Sequence, residues 1–151
     1  MTLRFATDHL AMVTGDTAKT VDFYTRVMRW PLVAAQRGQE PDGRDYLITA
    51  FQGDRWRLEF EEVTGREGPR PQAPGFPHIG IDVGTHGEYE QWKAHLDQCA
   101  IPYLETREHN CFFTDPNGLS FQLIVKGTAT ALQAEGSPAA EKLVQEWLKD
   151  R

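Results

Sequence analysis

Asp8-His9-Leu10 and Pro77-His78-Ile79 are two versions of one strand opening, and Leu58-Glu59-Phe60 and Phe121-Gln122-Leu123 are two versions of one strand close. Each triplet sets a polar side chain where a sheet interior calls for an apolar one. Between opening and close the elements run in one order: strand, helix, then three more strands. His9, Glu59, His78 and Gln122 therefore hold matching positions in two modules. Modules paired about a pseudo-twofold axis would turn all four side chains toward one metal ion. The sequence leaves open whether they would meet within one chain or between two.

The punctuation supports the repeat. A strand is expected over 5–13, and Asp16 is a good helix N-cap. Val21, Tyr24, Val27 and Met28 recur at helical spacing, so a helix is expected over 17–29 until Trp30-Pro31 stops it. Strands follow near 32–37, 45–51 and 55–63. The Pro- and Gly-rich stretch 65–75 reads as a connection. The second copy then runs strand 76–83, a helix marked by Tyr89, Trp92, Leu96 and Cys99, the stop Ile101-Pro102, and strands near 102–107, 110–114 and 119–126. Asp115-Pro116-Asn117-Gly118 forms a tight turn between the last two strands. The resulting division is a first βαβββ module over 5–63, a linker over 64–75, a second module over 76–126, and a tail over 127–151. In that tail Ser137-Pro138 opens an amphipathic helix whose stripe is Ala140, Leu143, Val144, Trp147 and Leu148.

The chain has 151 residues, 40% of them hydrophobic, enough for a packed core. A formal charge of −6 argues against nucleic acid or an anionic membrane as partner. No apolar run is long enough to span a bilayer. Cys99 and Cys111 are too few for a disulfide framework and read as thiols of a reducing compartment. With no secretory leader at the N-terminus, the expectation is a cytoplasmic protein.

Strand side chains alternate between faces. His9 and Ala11 oppose Leu10 and Met12; Arg57, Glu59 and Glu61 oppose Leu58 and Phe60. His78, Gly80 and Asp82 oppose Ile79 and Ile81, and Gln122 opposes Phe121 and Leu123. Each strand thus has a greasy face for its module's helix and a polar face turned away, which suits a curved mixed sheet forming a polar cup. Imidazole, carboxylate and an amide carbonyl suit a divalent Zn, Ni, Fe, Co or Mn ion, with positions left over for substrate oxygen atoms. Arg57 and Glu61, on the same face as Glu59, are candidate substrate contacts, as are His109 and Tyr103. Tyr46 and Phe113 are candidate pocket walls. His86 and His95 fall on the second helix, away from this face.

At these residues the chain resembles the vicinal oxygen chelate superfamily of glyoxalases, extradiol dioxygenases, epimerases and resistance proteins. The matching pieces are Asp8-His9-Leu10 with Asp22-Phe23-Tyr24, Leu58-Glu59-Phe60, Pro77-His78-Ile79-Gly80, and Phe113 to Leu119 leading to Gln122-Leu123. The resemblance spans 5–126 and implies the α+β glyoxalase-like fold, followed here by a C-terminal helix. It implies a metal held by His9, Glu59 and His78, with Gln122 where relatives usually carry a Glu. Gln cannot take up a proton, so in a glyoxalase- or epimerase-like reaction Glu59 would serve as base beside a metal that stabilises an enediolate. An extradiol dioxygenase using Fe(II), and a non-catalytic small-molecule binding or antibiotic-resistance protein, are the alternatives. A homodimer acting on a small-molecule substrate is expected from the same resemblance.

Overall fold

The computed structural model describes residues 7–70, 73–75, 77–107, 110–125 and 138–149. The first βαβββ set is β1 (His9–Val13), α1 (Thr17–Asp22), β2 (Leu32–Gln39), β3 (Asp45–Gln52) and β4 (Arg57–Val63). The second is β5 (His78–Asp82), α2 (His86–Gln98), β6 (Tyr103–Arg107), β7 (Asn110–Thr114) and β8 (Ser120–Ile124), and α3 (Pro138–Lys149) follows. The strands build two four-stranded mixed sheets, ordered β1-β4-β3-β2 and β5-β8-β7-β6. In each, the first strand pairs parallel with the last and the remaining pairs are antiparallel.

Asp16 caps α1 as its position predicts, its Oδ1 accepting from the Lys19 N–H at 3.0 Å. The helix does not run regularly to its stop. After Asp22 it widens into a π-helical turn, Phe23–Val27, with Met28 N–H donating to Phe23 O at 3.0 Å. The wider turn lets the adjacent Phe23 and Tyr24 reach the interior together with Val27 and Met28, all of them buried. Each helix then ends on a residue in the left-handed region, Arg29 and Ala100, both at φ 56°, before the prolines at 31 and 102. Thr85 and Glu88 form a reciprocal capping box at the start of α2, a signal present in the sequence that the strand pattern alone does not draw out.

One core serves both sheets. Tyr24 packs on Phe51 and Phe60 of the first sheet, at centroid distances of 4.9 and 5.0 Å, and on Phe121 of the second at 6.3 Å. Phe23 lies 6.4 Å from Phe113 and 6.5 Å from Phe121. Beneath them the Tyr24 hydroxyl donates to Asp115 Oδ2 at 2.9 Å, so the Asp-Pro-Asn-Gly turn of the second module is tied to the helix of the first. The connection between modules passes close as well. A Cβ on Gly15 would lie 2.8 Å from Gly68 Cα, so backbone meets backbone where only two glycines fit.

On α3, Val144, Trp147 and Leu148 each keep more than half of their surface exposed. Among the described residues no helix is long and apolar enough to cross a membrane. Cys99 is half-buried, Cys111 is buried, and both are free thiols.

Candidate functional site

Register decides which side chains share a face. Along the parallel β1–β4 pair His9 stands opposite Arg57, Ala11 opposite Glu59 and Val13 opposite Glu61, while β3 adds Ala50 beside Glu59 and Ile48 beside Glu61. The other face of the same strands carries Leu58, Phe60 and Phe51, which are fully buried in the core. In the second sheet His78 stands opposite Ser120, and Gly80 opposite Gln122. Phe112 follows on β7 opposite Gln122, and Leu104 on β6 opposite Phe112. Both polar faces turn away from the shared core.

By register the four candidate ligands fall two to a sheet, His9 with Glu59 on the polar face of the first and His78 with Gln122 on that of the second. His9 Nε2 lies 3.9 Å from Glu59 Oε2. Two ligand atoms about 2.1 Å from one tetrahedral ion sit about 3.4 Å apart, so a small rotation of either side chain brings both into range. The second pair shares a face around Phe112, whose ring meets that of His78 edge-on at 5.2 Å. Among the described residues no three His, Cys, Asp or Glu side chains stand together as a metal-holding group. Each sheet carries two of the four candidate donors on its own polar face.

Within each pair the donor atoms are backed by a partner on their far side. His9 Nδ1 meets Asp8 Oδ2 at 2.9 Å, and His78 Nδ1 meets Gly75 O at 3.2 Å. Gln122 Nε2 donates to Asn110 Oδ1 at 2.9 Å, and its Oε1 lies on the Gly80 side, 4.0 Å from where a Cβ there would stand. Hydrogen bonds of this kind set which atom of a ligand faces a metal. By donor type and by these supports, the residues fit a divalent ion.

Arg57 Nη2 sits 2.7 Å from Asp8 Oδ2 and 3.7 Å from Glu59 Oε1. The Asp8 carboxyl is held below its ordinary range by its hydrogen bonds to His9 and to Arg57, and by the Arg57 charge. Glu61 accepts from Arg66 Nη1 at 2.9 Å. Both Arg57 and Glu61 thus face the cup but are already engaged in ion pairs. Glu62, on the opposite face, accepts from the Thr17 N–H at 2.7 Å and helps to hold the start of α1. A cleft of about 230 Å³ opens beside the first pair, lined by Ala11, Met12, Val13 and Ile48 with Glu59 and Glu61.

Tyr103 does not line the cup. Its register partner is Phe113, which is buried and stacked on Phe121 at 5.4 Å, so Tyr103 packs against the core. Phe113 fails as a pocket wall for the same reason. Phe112 and Leu104, one residue along, take the cup positions instead. Tyr46 stays on the cup side, in register with Gly38, where any side chain would run into its ring. His109 lies outside the described residues. A larger cleft, of about 420 Å³, lies on the helix side among Arg29, Trp92 and His95. Its histidine is committed elsewhere, with Nε2 donating to Val27 O at 2.9 Å and Nδ1 accepting from Arg29 at 3.4 Å.

Solved structures share this architecture. The trypanothione-dependent glyoxalase I of Leishmania major matches with a TM-score of 0.66 at 18% identity, covering 97% of this chain and 99% of its own. YycE of Bacillus subtilis, a protein of unknown function, matches at 0.65 and 18%, covering 83% and 94%. A mutant of the fosfomycin resistance protein FosX from Listeria monocytogenes, complexed with Mn(II), matches at 0.62 and 14%, covering 84% and 96%. At these identities the likeness is one of fold. No curated protein matches the sequence. The family model for the glyoxalase/bleomycin resistance protein/dioxygenase superfamily matches residues 6–123, most of the chain, and the protein belongs to that superfamily.

Proposed function

We propose that the protein is a metal-dependent enzyme that moves a proton on a small oxygen-bearing organic molecule, with Glu59 as the base. The observation that carries this reading is the His9–Glu59 pair, oriented from behind by Asp8 and set beside an apolar cleft. His9, Glu59, His78 and Gln122 would hold the divalent ion, which when bound supplies Lewis acidity to substrate oxygen atoms. Glu59 is the one carboxylate of the four, and Gln122 cannot accept a proton. Ala11, Met12, Val13 and Ile48 give an apolar lining to the side on which Glu59 would meet a C–H bond. The two half-sets support an active homodimer, His9 and Glu59 of one copy meeting His78 and Gln122 of the second. The exposed apolar residues of α3 are compatible with such an assembly.

The division into pairs equally favours one second reading. A single chain that gathers no three His, Cys, Asp or Glu side chains among its described residues also suits a ligand-binding or resistance protein using the cup without metal. Elemental analysis of protein purified without chelator or affinity-tag metal separates the two, run beside a His9→Ala/His78→Ala variant. About one equivalent of a transition metal per chain, lost in the variant, supports the enzyme. Iron with oxygen consumption would move the assignment to ring-cleaving dioxygenation. If no Zn, Ni, Mn or anaerobic Fe(II) binds on addition, the enzyme reading fails and ligand binding takes its place.

A further inference from the structure

We propose that Asp8 is a positioning residue with two tasks at the His9–Glu59 pair: it fixes the ring of His9 through Nδ1, and it holds Arg57 off Glu59. This rests on the metal reading above. Asp8 directly precedes β1, and its carbonyl accepts from the Arg57 N–H at 3.0 Å, which locks its main chain to β4. One oxygen, Oδ2, then meets both His9 Nδ1 at 2.9 Å and Arg57 Nη2 at 2.7 Å.

The first contact is a carboxylate accepting from an imidazole N–H. It selects the tautomer whose Nε2 lone pair points toward Glu59, as a ligand histidine requires. The second contact is a matter of competition. Arg57 is two residues from Glu59 on the same face of β4, where a guanidinium would ordinarily settle on the nearer carboxylate. It stands instead 2.7 Å from Asp8 and 3.7 Å from Glu59. Among the described residues those two carboxylates are its only ion-pair partners. Without the charge at Asp8, Arg57 is left with Glu59 alone and closes onto the carboxylate the metal needs. The Asp8–Arg57 pair lies at the surface and contributes little to stability, so variants at either position keep the fold.

Asp8→Asn separates the two tasks, because an amide oxygen still accepts from His9 Nδ1 but has no charge with which to hold the guanidinium against that of Glu59. Calorimetric titration with Mn(II) and Zn(II) of the wild type, Asp8→Asn and Asp8→Asn/Arg57→Gln tests the competition. Asp8→Asn should bind about 10- to 100-fold more weakly, and the added Arg57→Gln should restore affinity to within about threefold. Melting of all three should be unchanged within a few degrees. Wild-type affinity in Asp8→Asn, or a double variant as weak as the single, overturns the proposal. Imidazole ¹⁵N spectra of the metal-free protein test the other task. A Nδ1–H tautomer at His9 that becomes a mixture in Asp8→Ala supports it, and an unchanged spectrum overturns it. A wild type that binds neither metal sinks the metal reading, while the tautomer measurement still decides the orienting role of Asp8.

Discussion

Replacing Tyr24 by Phe removes one oxygen from the centre of the molecule and leaves every ring contact in place. Tyr24 is fully buried, and its hydroxyl donates to Asp115 Oδ2 at 2.9 Å. That carboxylate also accepts from the N–H groups of Asn117 and Leu119, at 2.9 and 2.7 Å, and from Asn117 Nδ2 at 3.2 Å. Burial, aided by the neighbouring negative charge, keeps the Tyr24 phenol protonated far above its ordinary range, so it donates at every accessible pH. A hydrogen bond to a charged acceptor contributes about 1.5–3 kcal/mol, and the three surviving donors limit the penalty for orphaning Asp115. The expected loss is about 2 kcal/mol, or about 4–8 °C in Tm for a chain of this size. The pH dependence carries its own sign. Burial raises the Asp115 pKa in the folded state even though its donors pull it down. Stability from this group is therefore full below its unfolded pKa and declines as the pH rises through the folded value. Removing one donor raises the folded value further, so the variant's deficit should be smaller at a pH near the unfolded carboxylate value than at neutral pH. Urea unfolding at the two pH values measures it. A Tm within a degree of wild type, or a deficit independent of pH, would refute a buried phenol donating to a carboxylate.

Ala100 sits at φ 56°, where a Cβ costs about 1–2 kcal/mol and glycine costs nothing. After the greater freedom of glycine in the unfolded chain, Ala100→Gly should stabilise by about 0.5–1 kcal/mol in the denaturant midpoint. Thr49 faces the core with its hydroxyl buried and, among the described residues, without a hydrogen-bond partner, so Thr49→Val should gain about 1 kcal/mol; a loss in thermal unfolding would show that the hydroxyl has a partner. Burial pushes the Cys111 thiol up to about 11, whereas Cys99 is half-exposed. Titration with a disulfide reagent should find one reactive thiol in the native protein and the second only in denaturant, and two fast thiols would contradict the burial.

The element order, the helix stops and the polar faces of β1, β4, β5 and β8 were legible because strand alternation and proline act locally. Register then confirmed that His9, Arg57, Glu59 and Glu61 share one face. Strand β6 shows where alternation runs out. Tyr103 and Glu105 oppose Leu104, and neither face is plainly greasy. The structure turns Tyr103 and Glu105 toward α2, where Glu105 accepts from Tyr89 and Lys93 at 3.0 and 3.1 Å, and leaves Leu104 half-exposed on the cup side. The π-helical turn was hidden for a related reason: helical periodicity identifies a buried stripe, but a one-residue widening depends on which rings must fit beneath it. The tie from Tyr24 to Asp115, 91 residues apart, belongs to packing between modules, which no local pattern encodes.

Position 122 carries Gln where the resemblance implies Glu, and its neighbours bear on how the proposed site would work. Asn110 is 6% exposed and receives the amide of Gln122 on its Oδ1. A carboxylate at 122 would face those lone pairs and would require Asn110 to turn over and donate. The proposed donor set then carries a single negative charge, on Glu59, and that charge has a guanidinium 3.7 Å away. A divalent ion held by such a set would keep a net positive charge. It would polarise a substrate oxygen more strongly and be held less tightly than one between two carboxylates. Arg57 closing on Glu59 would take away the one anionic ligand. With Gln at 122 there is no second carboxylate in the proposed donor set to compensate, so under that proposal the 2.7 Å contact between Asp8 and Arg57 would bear on metal affinity more than an exposed ion pair ordinarily does.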